Sequence, residues 1–183
     1  MKLTIGVMGA SMILNPEIEG LAFQIGQAIA RKGAVLVTGA TNGLPLAAAR
    51  GAQDAGGEVI GFSPAMNWTE HLRLGYPAEF HDVVICTGLS SPGRNVLNVR
   101  ASHGIIFVGG SMGALNEFTI AYDENKVIGI LEGTGGFCNQ LQEWMVHLAK
   151  PDHRAVLLYC NEPEELVNDV YRAIQSRKTE LGL

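Results

Sequence analysis

A glycine-rich turn after a short apolar run is the segment of this sequence best suited to binding an anion. The apolar run 105–108 predicts a buried strand, and residues 109–113 then turn the chain into a helix predicted to open near Ala114. The free N–H groups at a helix N-terminus attract anions, and glycine lets the backbone approach a phosphate closely. The sequence therefore predicts a phosphate site at this turn.

Two charged side chains flank the turn. Arg94 follows Pro92 and Gly93 at the predicted start of the preceding helix, and Glu117 falls in the predicted first turn of the next one. An arginine at a helix N-terminus opposes the helix dipole. We therefore interpret Arg94 either as solvated or as facing an anion, and we favour the anion. Glu117 either offsets the dipole or acts on a bound ligand.

Two further glycine-containing turns follow predicted strands. Residues 9–11 and residues 39–43 each connect a strand to a helix, and each is either a plain turn or a ligand-lining loop. Asn95 and Asn98 are predicted to share a polar helix face with Arg94. The binding residues predicted in addition to Arg94 and Glu117 are Gly9, Ser11, Gly39, Ala40, Thr41, Asn42, Gly43, Asn95, Asn98, Gly109, Gly110, Ser111, Met112, Gly113 and Ala114.

Other common sites are not indicated. The GxGxxG fingerprint, the acidic residue that holds a ribose diol, and a Walker lysine are all missing. The three cysteines, Cys86, Cys138 and Cys160, are scattered without metal-ligand spacing, so we predict reduced thiols and no metal site. No lysine lies in a glycine loop, which argues against a Schiff-base decarboxylase.

The two motifs around Arg94 and Glu117 resemble those of a known family. Gly93-Arg94-Asn95, then a strand, then the sequence GGSMGALNE at 109–117 is similar to the LONELY GUY (LOG) and molybdenum-cofactor carrier family of the SLOG superfamily, formerly called lysine decarboxylase-like. That family has an arginine at a helix start and a PGGxGTxxE loop. The resemblance covers nearly the whole chain. It implies that Arg94 holds the ligand and that Glu117 acts at a ribose.

The departures from the family pattern bear on activity. Gly109 stands in place of a proline, Ser111 in place of a glycine, Ala114 in place of a threonine, and Asn95 in place of the lysine of the LOG enzymes. An Arg-Asn pair is closer to the carrier branch. The resemblance therefore implies a carrier or sensor that binds a phosphorylated nucleotide-like or pterin-like molecule.

The alternative is a LOG-type nucleoside 5′-monophosphate phosphoribohydrolase, in which Arg94 and Glu117 are catalytic. Neither function needs a cofactor for catalysis, and a nucleotide or the molybdenum cofactor is the implied ligand. The resemblance also implies a homodimer.

Composition narrows the remaining function classes. The chain has 183 residues, of which 47% are hydrophobic and 17% charged, and its net charge is −5 without a cluster of basic residues. We therefore expect one domain, residues 1–183, and no nucleic-acid or anionic-membrane surface as partner. Without a signal peptide or an apolar run of membrane length, a cytoplasmic location is predicted.

Strand and helix patterns alternate along the chain. This alternation predicts an α/β, Rossmann-like, doubly wound fold with about seven mainly parallel strands and helices on both faces. In such a sheet the loops after the strands leave from one edge, so Arg94, Glu117 and the glycine turns should converge there. Residues 63–81 are predicted to form a long connection that is either functional or a partner surface.

Overall fold

A single parallel sheet organises the chain in the computed structural model, which describes residues 1–12 and 15–180. Its order is β4-β3-β2-β1-β5-β6-β7, and every neighbouring pair is parallel. The strands are β1 (Thr4–Gly9), β2 (Val35–Thr38), β3 (Val59–Ser63), β4 (Val83–Cys86), β5 (Gly104–Val108), β6 (Val127–Leu131) and β7 (Val156–Cys160). The predicted Rossmann-like α/β fold is thus confirmed.

Helices connect the strands and cover both faces of the sheet. They are α1 (Pro16–Arg31), α2 (Leu44–Asp54), α3 (Trp68–Arg73), α4 (Ser90–Ala101), α5 (Met112–Asp123), α6 (Leu141–Leu148) and α7 (Pro163–Glu180), with a 3₁₀ turn at Gly136–Asn139. One face packs α1, α2 and α7 against the sheet, and the other packs α4 and α5. Each face has its own apolar core because the strand side chains alternate between them.

Helices α1 and α2 touch through their backbones. A Cβ atom at Gly26 would overlap the carbonyl oxygen of Ala48, and one at Gly51 would overlap that of Phe23. By contrast, a Cβ at Gly20 on α1 would have no atom within 4 Å. The crossing of the two helices therefore depends on the missing side chains at Gly26 and Gly51.

Two helices begin earlier than the sequence predicted. Helix α4 begins at Ser90, and α5 begins at Met112 rather than near Ala114. Arg94 and Glu117 therefore both lie in the second turn of their helices, and the prediction that they occupy first turns is wrong. The reason is that Pro92 and Gly93 are tolerated near the start of a helix, so they do not delimit it.

The predicted connection at 63–81 contains a helix of its own. Asn67 caps α3 by accepting a hydrogen bond from the N–H of Glu70 at 3.0 Å. Inside the segment, the buried His71 ring bonds Ser63 Oγ at 2.9 Å and donates to the carbonyl of Pro77 at 3.0 Å. These bonds tie the connection to the end of β3.

The order of strands reverses between β1 and β5. Chain connections run outward from β1 to β4 in one direction, and β5 then pairs with the other side of β1, with Gly9 opposite Val108. Loops that leave the carboxyl ends of β1 and β5 therefore diverge to opposite faces and leave a crevice between them. Among the described helices, none is long and apolar enough to span a lipid bilayer.

Candidate anion-binding site

A cavity of about 380 Å³ lies in the crevice above the carboxyl ends of β1, β2 and β5. Its walls come from five segments, helix starts and loops that the sequence places far apart. The lining residues are Met8, Gly9, Ser11, Gly39, Thr41, Asn42, Pro45, Tyr76, Ser91, Arg94, Asn95, Ser111, Gly113, Ala114 and Glu117. The cavity has the size and the position expected of a ligand site in this fold.

Arg94 and Glu117 meet at the floor of this cavity. Nη1 of Arg94 lies 3.3 Å from Oε1 of Glu117, and both side chains are only 8% exposed. The same carboxylate oxygen accepts a hydrogen bond from Nδ2 of Asn98 at 2.9 Å. Asn95 donates to Oδ1 of Asn116 at 2.9 Å, which joins α4 to α5 a second time. Among the described residues, α4 therefore supplies both side chains that bond Glu117.

Several polar atoms of this cluster have no partner in the described part of the protein. The guanidinium of Arg94 carries five N–H groups, yet only Nη1 is bonded, and Nε is buried without a partner. Oδ1 of Asn98 is also buried and unbonded. Buried polar groups are normally satisfied, so such atoms indicate that a ligand or ordered water completes the site.

Burial opposes charge on both members of the pair. It raises the pKa of the Glu117 carboxyl, while Arg94 and the amide of Asn98 act in the opposite sense. Burial likewise lowers the pKa of Arg94, and Glu117 and Tyr76 raise it. Because the pKa of a free arginine lies far above neutral, Arg94 stays cationic at neutral pH. We therefore treat the pair as charged, with Glu117 dependent on Arg94 for its ionised form.

The position of Arg94 depends on the turn after β2. A Cβ atom at Gly39 would lie 2.5 Å from Nη1 of Arg94, so the guanidinium rests directly on the glycine backbone. Ala40, the next residue, has a φ of +49°, which places it in the left-handed region. The turn at 39–43 therefore positions the guanidinium of Arg94 through direct packing.

The N-terminus of α5 offers a stronger anion cradle than that of α2. Ser111 is its N-cap, but no described side chain caps the helix, and its first turn contains no acidic residue. At α2, by contrast, the N–H of Leu44 is bonded to the carbonyl of Ala10, and Pro45 has no N–H. The N–H groups of residues 112–114 therefore have the stronger field for a phosphate.

Most of the predicted site residues line the cavity, and six do not. Ala40 is buried in the turn after β2, and Gly43 packs against the backbone of Ala10 and Ser11. Asn98 is buried and bonds Glu117. Gly109 and Gly110 face a neighbouring hollow, and Met112 is exposed to solvent. Whether the lining residues bind a ligand stays a prediction.

The loop after β6 borders the neighbouring hollow, of about 340 Å³, and bonds to the glycine turn. Thr134 Oγ1 accepts a hydrogen bond from the N–H of Gly109 at 2.8 Å and donates to the carbonyl of Leu131 at 2.6 Å. The Cys138 thiol donates to the carbonyl of Gly109 at 2.8 Å, and burial raises its pKa to about 12. This loop therefore holds the glycine turn in place and does not line the main cavity.

Sequence reasoning missed four lining residues. Met8, Pro45 and Ser91 adjoin predicted site residues in the sequence, so a wider reading of the same loops would have found them. Tyr76 comes from the 63–81 connection, and no local pattern marks it. It lines the cavity from the loop that follows α3.

A histidine in the same connection supports the β2 turn. His81 Nδ1 donates to the carbonyl of Glu79 at 2.9 Å, which leaves Nε2 to accept from the Thr38 hydroxyl at 2.8 Å. Thr38 Oγ1 in turn accepts the N–H of Ala40 at 3.1 Å. The neutral imidazole therefore stabilises the turn on which Arg94 rests.

This arrangement predicts an acid-sensitive contribution to stability. Burial lowers the pKa of His81 from 6.5, so the unfolded chain binds the proton more tightly than the folded one. Its contribution is present above pH 6.5 and is lost as the pH falls through the lowered value. We expect the free energy of unfolding, measured by urea denaturation, to decrease less between pH 7.5 and 5 in His81→Gln than in the wild type. Parallel pH profiles for the two proteins would contradict this assignment.

Comparisons with known proteins agree with the fold. The model of the SLOG cluster4 family matches residues 2–167. A protein of Archaeoglobus fulgidus described as uncharacterized is 35% identical over 128 residues, which is 70% of this chain and 79% of that protein.

Two solved structures are similar over nearly their full length. The molybdenum cofactor binding protein from Rippkaea orientalis is 30% identical with a TM-score of 0.78, covering 96% of this chain and 98% of that one. The molybdenum cofactor carrier protein from Chlamydomonas reinhardtii is 25% identical, also with a TM-score of 0.78, covering 96% and 99%.

Proposed function

The chain belongs to the SLOG cluster4 family, and from this premise we propose that it binds a phosphorylated small molecule of the pterin-cofactor or nucleotide class. The ligand lies in the cavity between β1 and β5 and is carried without chemical change. The Rippkaea orientalis protein, which is named for binding the molybdenum cofactor, supports the pterin class as the first choice.

The incompletely bonded guanidinium of Arg94 is the observation that carries this proposal. It lines the cavity, it is almost wholly buried, and a single carboxylate oxygen is its hydrogen-bond partner among the described residues. Arginine binds phosphate oxygens strongly because its planar N–H groups match their geometry. A phosphate oxygen would accept hydrogen bonds from the N–H groups that Glu117 leaves unbonded, and the positive end of the α5 dipole would offset part of the added negative charge.

The phosphate takes the position between Arg94 and the N-terminus of α5. There the N–H groups of residues 112–114 add hydrogen bonds and the positive end of the helix dipole. The ring system of the ligand then extends toward Tyr76 and Ser91, which also line a neighbouring hollow of about 330 Å³. Tyr76 offers that ring system an aromatic surface.

A phosphoribohydrolase is the second candidate, and the placement of Glu117 in the same cavity favours it. Its carboxylate could stabilise a sugar cation or orient a water molecule. However, Oε1 is bonded to both Arg94 and Asn98, and the lining residues include no second carboxylate and no histidine to protonate a leaving base. These features support binding over turnover.

Analysis of the purified protein tests the proposed function directly. We expect protein produced in a host that makes the molybdenum cofactor to carry bound pterin in an amount approaching one per chain, measured by pterin fluorescence after oxidative release and by elemental analysis for molybdenum. The Glu117→Gln variant is expected to retain the ligand.

Incubation with a panel of nucleoside 5′-monophosphates separates the two candidates. Release of free base by the wild type, abolished by Glu117→Gln, would establish the hydrolase and contradict the carrier. Absence of bound pterin, together with no thermal stabilisation by any phosphorylated compound of the panel, would contradict both.

A further inference from the structure

The amino edge of the sheet, opposite the proposed ligand cavity, carries a second cavity of about 650 Å³. It lies where α4 ends, where β6 begins and beside the last turns of α7. Its volume is within the range of roughly 300–1,000 Å³ that is typical of small-molecule sites. Nothing in the proposed carrier function uses this cavity.

Positive charge is concentrated around it. The charged groups of its lining, apart from the chain terminus, are four cations and one carboxylate: Arg100, Lys126, Arg177, Lys178 and Glu124. The chain as a whole has a net charge of −5, so this excess is local and opposite in sign to the rest of the surface. A concave basic surface on an acidic protein concentrates anions.

Two of the four cations have structural partners. Arg100 Nε donates to Glu124 at 2.7 Å, and the guanidinium of Arg177 donates to the carbonyls of Asn125 and Arg154. Arg100 thus occupies the only carboxylate in the described lining, Glu124, and Arg177 bonds backbone carbonyls. Within residues 1–12 and 15–180, these contacts leave Lys126 and Lys178 without an acidic partner in a salt bridge.

The two lysines are therefore the groups available to a ligand. Lys126 is half-buried and donates to the carbonyl of Ser102 at 2.7 Å, which leaves two of its three N–H groups unused. Lys178 is also half-buried, and no residue in the described ranges forms an ion pair with it.

Nearby groups titrate as expected for an electropositive site. Burial lowers the pKa of Lys126, and Arg100 and Arg177 lower it further, against the opposing effect of Glu124. Burial also lowers the pKa of His103, and Lys178 and Lys126 add to that effect. The cations thus repel one another across the cavity, and a bound anion would relieve this repulsion.

We propose that this amino-edge cavity is a second binding site, selective for a small polyanion that carries phosphate groups. Lys126 and Lys178 contact the anion, and the aliphatic stems of the cationic side chains, with Val127 and Ile174, line the remainder. The site is independent of the cavity that holds Arg94, because the two open at opposite edges of the sheet.

Amide-resolved NMR with inorganic pyrophosphate tests the proposal. We expect a titration at constant ionic strength to shift two separate groups of amide signals, one at residues 110–114 and one at residues 102–103, 126–127 and 174–178. Lys126→Met should lower the affinity for pyrophosphate that is measured from the amino-edge shifts at least tenfold. It should leave the affinity measured from the other group unchanged. Arg94→Ala should do the reverse, so failure of one site is distinguishable from failure of the other.

Two further variants complete the test. Lys178→Met should weaken the same amino-edge group and does not touch the strand, so it serves if Lys126→Met fails to fold. Lys150→Met removes an exposed lysine that pairs with Asp123 outside the cavity, and it should change neither group. Shifts that are absent at the amino edge, or that survive in both lining variants, would overturn the proposal.

Discussion

Replacing Arg94 with alanine is expected to lower the affinity for a phosphorylated ligand by about thirtyfold or more. The reason is that truncating one partner of a buried, hydrogen-bonded charge pair costs about 2–5 kcal/mol, and each 1.4 kcal/mol corresponds to roughly tenfold in affinity. Isothermal titration of ligand-free protein with the isolated molybdenum cofactor and with AMP measures the effect. Arg94→Lys should recover only part of it, since an ammonium group lacks the planar array of N–H groups.

The same substitution has a second, pH-dependent consequence. Without Arg94, nothing offsets the burial that raises the pKa of Glu117 except the amide of Asn98. A carboxyl whose folded pKa exceeds its unfolded value contributes stability at low pH and loses it as the pH rises through the folded pKa. We therefore expect Arg94→Ala to lose more stability at pH 8 than at pH 5, and Glu117→Gln to remove that difference.

Arg50→Ala provides the control for both measurements. Arg50 is an exposed arginine on α2 that pairs with Glu19 at 3.1 Å and does not line the cavity. It should leave affinity unchanged and stability within about 0.5 kcal/mol of the wild type. Equal losses of affinity in the Arg50 and Arg94 variants would show that Arg94 acts through general electrostatics and not as a ligand contact.

The largest expected effect on stability comes from Gly26→Ala. A methyl group there would overlap the backbone of α2 at Ala48, so α1 and α2 must separate, at a cost of about 3 kcal/mol by analogy with overpacked cores. For a chain of this length each kcal/mol lowers Tm by roughly 2–4 °C. Urea denaturation and calorimetry of the two proteins measure the difference.

Gly20→Ala is the matched control in the same helix. The added Cβ meets nothing within 4 Å, and alanine favours a helix over glycine by about 0.5–1 kcal/mol. This variant should therefore be more stable than the wild type. If the two alanine variants shift stability in the same direction, the backbone contact between α1 and α2 does not limit stability.

Much of the fold could be predicted because its determinants are local. Runs such as residues 105–108 and 127–131 are apolar throughout, as strands buried on both faces must be, and helical periodicity separates them. The boundaries of α4 could not be predicted in the same way. Pro92 and Gly93 indicate a turn locally, but the helix begins at Ser90. Ser90 has a φ of +54°, a value that is uncommon for serine and that the local sequence does not indicate.

The convergence of the site was predictable, and its contacts were not. Parallel strands bring the turns after β1, β2 and β5 to one edge whatever the side chains are. By contrast, two contacts depend on how the helices are rotated against the sheet. They are the hydrogen bond from Asn98 to Glu117 and the packing of Arg94 on Gly39. Tyr76 and the amino-edge cavity arise from tertiary packing between distant segments, for which a single sequence has no periodic signal.

The pairing of β1 with β5 determines when the ligand cavity comes into existence. Residues 5–9 pair with residues 104–108, and Glu117 lies later still, so the first four strands can assemble while half of the cavity is missing. A chain synthesised only as far as β4 therefore lacks the α4 and α5 walls of the proposed ligand cavity. A ligand that binds the finished cavity raises the free energy of unfolding with the logarithm of its concentration above Kd.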